Sequence, residues 1–267
     1  MNVMRIDALA ILTCLAWAAP APTVAADEEV DVELVLAVDV SGSMDLEEAQ
    51  IQRDGYVAAL THPDFLTAVQ SGLTGRIAIT YFEWAGRINP ESFTAWQIIS
   101  TAEEAETFAA RLDERPIMTR RGTSISAALT YAVPLFDGNG FAGMRRVIDV
   151  SGDGPNNFGA PVTPARDAAI QLGIVVNGLA IMVRPSVAYG ALDRYYADCV
   201  IGGPGAFVLP VHKREDFAQA IRRKLILEVS GREAPARIVP AAAADCMIGE
   251  RLRPGLFLDR ISPEMQR

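Results

Sequence analysis

The sequence predicts an α/β domain: a three-layer, doubly wound, mostly parallel six-stranded sheet with one antiparallel strand near an edge. Three observations carry that expectation. Apolar runs of strand length, such as residues 32–38 and 174–181, alternate along the chain with stretches whose apolar residues recur at helical spacing. The runs are apolar at nearly every position rather than every second one, as strands covered on both faces require. The chain has 267 residues, 50% of them hydrophobic, enough to bury one sizeable core.

Residues 1–26 have the layout of a secretory signal, with Arg5, an apolar core at residues 8–17, and Val24-Ala25-Ala26 as a small-residue cleavage site. That core is shorter than the roughly 20 apolar residues that span a bilayer, so no transmembrane segment is expected after cleavage. Cys14 leaves with the signal. The mature domain is expected over residues 27–230, followed by an Ala-, Pro- and Arg-rich tail at 231–267.

The first strand, residues 32–38, ends at Asp39, and Gly42 marks the turn beyond it. Asp45 and Glu48 are spaced as an N-cap and its capping-box partner, opening a helix to about Leu60. His62-Pro63 closes that helix, with His62 a surface or capping residue. Residues 76–84 form the next strand, Ala85-Gly86 a turn, and residues 92–99 its hairpin partner. A helix over 102–112 precedes Pro116. The polar connector 119–124 then leads into a helix whose apolar face is Ile125, Leu129, Ala132, Val133 and Phe136. Residues 146–150 form a short strand that runs into the turn-rich segment 151–157. A helix at 164–172, a strand at 174–181, a helix at 187–198, a Gly-rich turn at 202–205 and a strand at 206–209 follow. An amphipathic helix over 213–229 closes the domain, with Phe217, Ile221, Leu225 and Val229 on one face. His212 has no assigned role.

Two cysteines remain after the signal, Cys199 and Cys246. An even count in an exported chain points to a disulfide, with two buried thiols as the alternative. The net charge of -9 disfavours a nucleic-acid partner.

Chemistry concentrates at the end of the first strand, where Asp39, Ser41 and Ser43 alternate. One carboxylate and two hydroxyls are hard donors that suit Mg²⁺, with Mn²⁺ or Ca²⁺ as alternatives, rather than zinc. In a doubly wound sheet the loops beyond the carboxyl ends of the strands gather on one edge. Two more loops carry oxygen donors there, Gly122-Thr123-Ser124 and Ser151-Gly152-Asp153-Gly154. Taken singly, each loop could equally be capping the helix that follows it.

Together, Asp39-Val40-Ser41-Gly42-Ser43, Thr123 and Asp153 resemble the metal-ion-dependent adhesion site of the von Willebrand factor type A domain, and the resemblance covers roughly residues 30–230. It implies that Ser41 and Ser43 bind the metal directly, that Asp39 and Asp153 act mainly through water or from behind, and that Thr123 joins when ligand binds. The last coordination position would belong to an Asp or Glu of a partner protein. Gly152 departs from the pattern, which more often has Thr there. Arg120 and Arg121 flank the second loop and would either attract an acidic partner or serve as ordinary surface residues. Asp149 is expected to be structural, hydrogen-bonded at a sheet edge or paired with Arg145 or Arg146. The segment Arg-Arg-Val-Ile-Asp-Val-Ser-Gly-Asp-Gly at 145–154 and the late cysteines resemble an exported bacterial group of such domains with no assigned function.

The expected function is therefore an exported, metal-dependent protein-binding module of the adhesion type, in the periplasm or outside the cell. No Gly-x-Ser-x-Gly elbow or paired base and nucleophile argues for an enzyme. The rival reading is a Mg²⁺-dependent phosphoester hydrolase using Asp39 as nucleophile; such enzymes carry Asp-x-Asp, whereas position 41 is Ser. A subunit that couples to an ATPase is a third reading, though the chain has no P-loop of its own.

Overall fold

The computed structural model describes residues 26–188, 190–231 and 243–252. Residues 1–25 of the expected signal and most of the expected tail lie outside the described residues. Six strands form one sheet: β1 (Glu28–Asp39), β2 (Ile77–Trp84), β3 (Ile88–Ile99), β4 (Phe141–Gly152), β5 (Ile174–Ile181) and β6 (Val208–Val211). Their order is β3-β2-β1-β4-β5-β6. All neighbours are parallel except the β2–β3 hairpin, which puts the antiparallel strand at an edge.

β1 pairs with β2 on one side and β4 on the other, and every residue from Val30 to Asp39 is buried. With both edges paired and both faces covered, it can carry apolar residues without alternation. On one face lie α1 (Leu46–Leu60), α2 (Pro63–Gln70) and α3 (Ala102–Asp113), and on the other α4 (Ile125–Ala132), α5 (Val162–Gln171) and α6 (Leu192–Tyr195). The closing helix α7 (Phe217–Ser230) returns to the first face, burying Phe217, Ile221, Leu225 and Val229. The chain winds outward from β1 in both directions, so the switch point of the sheet lies between β1 and β4.

Several elements differ from expectation for identifiable reasons. Pro63 does not merely end α1; it opens α2, whose first turn His62 caps through Nδ1, accepting from the Asp64 N–H at 3.1 Å. β4 is longer than residues 146–150 because its first residues pair with β1 alone, and β5 joins only from Arg146. That half-covered start carries Gly143 and Met144 instead of a continuous apolar run. The helix expected at 187–198 shrinks to α6 and a π-helical turn, Tyr196–Val200. Gly190 holds φ at +71°, a left-handed conformation that no helix can run through. The helix expected to reach Phe136 stops at Ala132 and continues as a 3-10 turn, Val133–Phe136, where Pro134 has no N–H to give.

Asp149 corrects a second expectation. It is structural, but its partner is neither neighbouring arginine: Lys224 Nζ lies 2.5 Å from its Oδ1 and the Tyr56 hydroxyl 3.4 Å from its Oδ2. Arg145 instead donates to the Glu228 and Val229 carbonyls at the end of α7, at 2.8 and 3.1 Å. Arg146 faces Glu33 at 3.4 Å.

Cys199 and Cys246 form a disulfide, with Cα atoms 5.4 Å apart. Beyond it, within the expected tail, lies the short helix α8 (Ile248–Leu252). Among the described residues no helix is long and apolar enough to cross a membrane.

Candidate metal centre

β1 delivers Asp39 to the carboxyl edge of the sheet, fully buried. Its Oδ1 accepts the Ser41 N–H at 2.7 Å, which turns the chain two residues on. That turn sets the Ser41 and Ser43 hydroxyls 3.0 Å apart. Asp153, just past β4, meets them from across the switch point: its Oδ1 accepts from Ser43 Oγ at 2.6 Å and from Ser41 Oγ at 3.5 Å. Four of the five expected ligands therefore form one cluster.

Thr123 joins the same rim through the backbone. The Gly42 N–H donates to the Arg120 carbonyl at 2.7 Å, stitching the second loop to the first. The Thr123 N–H donates to Asn157 Oδ1 at 2.8 Å, and the Thr123 carbonyl accepts from the N–H groups of Asn157 and Phe158 at 2.8 and 3.1 Å. A methyl group built on Gly154 would lie 3.9 Å from Thr123 Oγ1. The Thr123 hydroxyl is thus on the correct side, though among the described residues it bonds to none of the other four.

Gly152 is explained by close approach. A Cβ there would sit 2.9 Å from Asp39 Oδ2 and 2.5 Å from the Tyr196 hydroxyl. Tyr196, from the π-helical turn, takes the space that a threonine side chain would need.

The electrostatics favour a cation. Burial pushes the Asp39 carboxyl well above the usual carboxylate range, and the nearby Asp153 charge pushes it further, against the Ser41 N–H. Asp153 is raised as well, by burial first, with the Glu48 charge adding and the Ser43 hydrogen bond opposing. Asp39 Oδ2 is one of several buried side-chain atoms with no hydrogen-bond partner among the described residues, and at this rim a bound ion would satisfy it. Two carboxylates among the hydroxyls of Ser41, Ser43 and Thr123 make a hard-oxygen donor set that fits Mg²⁺. A cage of three or more His, Cys, Asp or Glu side chains does not occur among the described residues.

The surroundings are asymmetric. On one side, Arg184 donates to the Ser43 carbonyl at 2.8 Å and pairs with Glu48, while Arg214 spans Asp45 and Glu47 at 3.2 and 3.1 Å. On the other side, Arg120 and Arg121 are exposed, joined by Arg87 from the β2–β3 turn, which lies against the second loop. None of these three forms an ion pair among the described residues. The sequence singled out Arg120 and Arg121 but missed Arg87, Arg184, Arg214, Tyr196, Asn156 and Asn157. Consecutive asparagines after Pro155 were the one available signal, since Asn bonds backbone in turns.

A family model described as "Protein of unknown function (DUF1194)" matches residues 29–233. The chain belongs to that family. No curated protein matches it. Among solved structures, proximal thread matrix protein 1 from the mussel byssus aligns at 14% identity and TM-score 0.53, over 77% of this chain and 50% of that one. A further structure of the mussel protein, at 15% identity and TM-score 0.50 over 77% and 50% of the two chains, is described with a zinc-occupied MIDAS motif. The pilus adhesin SpaC from Lactobacillus rhamnosus GG aligns at 14% identity and TM-score 0.54, over 76% of this chain and 31% of that one. BatB from Bacteroides thetaiotaomicron aligns at 20% identity and TM-score 0.50, over 75% and 100%. This chain thus spans half or less of the mussel and pilus proteins. At these identities the likeness is one of fold, the von Willebrand factor type A fold.

Proposed function

We propose that this protein is an exported binding module that holds a divalent cation, preferably Mg²⁺, between Asp39, Ser41, Ser43, Thr123 and Asp153. The cation's last coordination position would go to a carboxylate of a partner protein. The observation that carries this reading is the meeting of fully buried Asp39 and half-buried Asp153 at the switch point of the sheet, where Asp153 accepts from the Ser41 and Ser43 hydroxyls and Asp39 keeps one oxygen without a hydrogen-bond partner among the described residues. The bound ion would supply positive charge for an incoming carboxylate to meet. Hydroxyls supply most of the contacts, so little of that charge is neutralised by the protein itself. Exposed Arg87, Arg120 and Arg121 add attraction for an acidic partner and speed its approach. Export is supported by the pattern of residues 1–26 and by the disulfide.

Fully buried Asp39, with one oxygen committed to the Ser41 N–H, is poorly placed to act as a nucleophile, which weighs against the hydrolase reading. Mn²⁺ titration followed by EPR tests the site, beside a Ser41→Ala, Ser43→Ala double variant. The native chain is expected to bind one ion and the variant none. Capture of envelope proteins should then require the ion and fail in chelator. Equal Mn²⁺ binding by both proteins would overturn the reading, and turnover of a phosphate ester lost on Asp39→Asn would replace it.

A further inference from the structure

We propose that the segment 243–252, fastened by the Cys199–Cys246 bridge, is a clamp on the loop that carries Asp153, and that Asn156, Gly249 and Glu250 are its positioning residues. The consequence for metal affinity rests on the site proposed above.

α8 has five residues, too few to be stable alone. External attachments hold it. Besides the bridge, the Ala244 N–H donates to Asp198 Oδ2 at 2.6 Å, and Arg194 Nε holds the same oxygen at 2.6 Å. At the far end Gly249 lies directly on the third loop: a Cβ there would come within 2.1 Å of the Asn156 carbonyl oxygen. Beside it, Glu250 Oε1 accepts from Asn156 Nδ2 at 2.7 Å.

Asn156 is fully buried and uses all its side-chain bonding groups. Its Oδ1 accepts the Ser126 N–H in the first turn of α4 at 3.0 Å, and Nδ2 also donates to the Ala160 carbonyl at 2.9 Å. Its backbone N–H donates to the Tyr195 hydroxyl at 3.2 Å. Asn157, next along, holds Thr123 by both backbone groups. A continuous line of contacts therefore runs from the disulfide through Gly249 and Glu250 to Asn156, and on to Thr123 and α4. Asp153 lies three residues before Asn156. The loop contains Gly154 and Gly159, so left to itself it would sample many conformations. Outer contacts that fix a ligand loop govern metal affinity in such sites.

The test uses the full chain and two readouts, Mn²⁺ affinity by EPR and amide hydrogen exchange over residues 153–158. In Gly249→Leu, which cannot seat against Asn156, and in Cys246→Ser, exchange should speed up and Mn²⁺ affinity should fall about tenfold. Glu250→Gln keeps an acceptor for Asn156 and should behave as native, whereas Glu250→Leu should follow Gly249→Leu. Should Gly249→Leu fail to fold, Cys246→Ser and Glu250→Leu carry the comparison. Native exchange and native Mn²⁺ affinity in the released variants would overturn the clamp alone. A native chain that binds no Mn²⁺ would overturn the metal site, while faster exchange in the variants would still support the clamp.

Discussion

Asp149 and Asp153 stand four residues apart along one strand and its exit loop, and each shares its surroundings with another acid. Asp149 shares them with Glu228, Asp153 with Asp39. In the first cluster the chain supplies its own cation: Lys224 is fully buried and pairs with both Asp149 and Glu228. One ammonium cannot neutralise two carboxylates in a dry site, so the surplus is met by a proton. Burial first, then the Asp149 charge, pushes Glu228 up to about 8. In the second cluster the acids meet hydroxyls, and Asp39 keeps one oxygen without a hydrogen-bond partner among the described residues. The first arrangement takes its cation from within the chain and joins α7 to the sheet, while Glu228 Oε2 has no hydrogen-bond partner among the described residues. In the second, the proposed ion would supply the charge balance.

The largest test of that contrast is Lys224→Met. It leaves Asp149 and Glu228 buried without their cation and should cost roughly 3–5 kcal/mol in urea unfolding. A change near zero would show that the cluster tolerates two neutral acids and that the comparison is drawn too sharply.

Next in size is the effect of added metal. Mg²⁺ at about 100 times its dissociation constant should stabilise the native protein by about 2.7 kcal/mol, and should leave the Ser41→Ala, Ser43→Ala variant unmoved. Asp39→Asn should lose the same response, yet be at least as stable as the native chain in chelator, because it removes the desolvation cost of a buried carboxyl beside Asp153. Thermal melts with and without chelator read both effects.

Smaller per pH unit is the effect of titrating Glu228 in the first cluster. An ordinary glutamate loses its proton near 4.5 and Glu228 holds its own to about 8. Between those values the folded state binds a proton that the unfolded chain has released. Stability attributable to Glu228 is therefore full below 4.5 and is lost as pH rises toward 8, at up to about 1.4 kcal/mol per pH unit. Glu228→Gln should flatten that slope in denaturant titrations from pH 5 to 8, and an unaltered slope would assign it elsewhere.

The smallest expected change belongs to the rim. Replacing Arg87, Arg120 and Arg121 together by Gln should shift stability by no more than about 0.5 kcal/mol and leave Mn²⁺ affinity alone. Capture of an acidic partner should slow, most visibly at low salt. Unchanged capture rates would return these arginines to ordinary surface residues.

Much of this organisation was legible in the sequence, because burial on both faces writes itself as an unbroken apolar run. β1, β2 and β5 were visible for that reason, as was the Asp45–Glu48 cap, which needs only local geometry. The first half of β4 was not, because it has a neighbour on one side only and so carries no such run. Lys224 and Glu228 lie on a helix whose period shows Phe217, Ile221, Leu225 and Val229. Nothing local says that two charged residues beside that stripe are sealed against Asp149.

The sequence by itself determined the alternation of strands and helices, the nature of the five oxygen donors, and their positions at turns. Those properties depend on side-chain chemistry and near neighbours along the chain. Tertiary structure alone decided that β1 and β4 lie side by side, so that Asp39 faces Asp153. It also decided that Tyr196 fills the place beside Gly152 and that α8 bears on Asn156. Each of these contacts joins residues 40 or more positions apart, and the order of strands in the sheet, not local preference, brings them within reach.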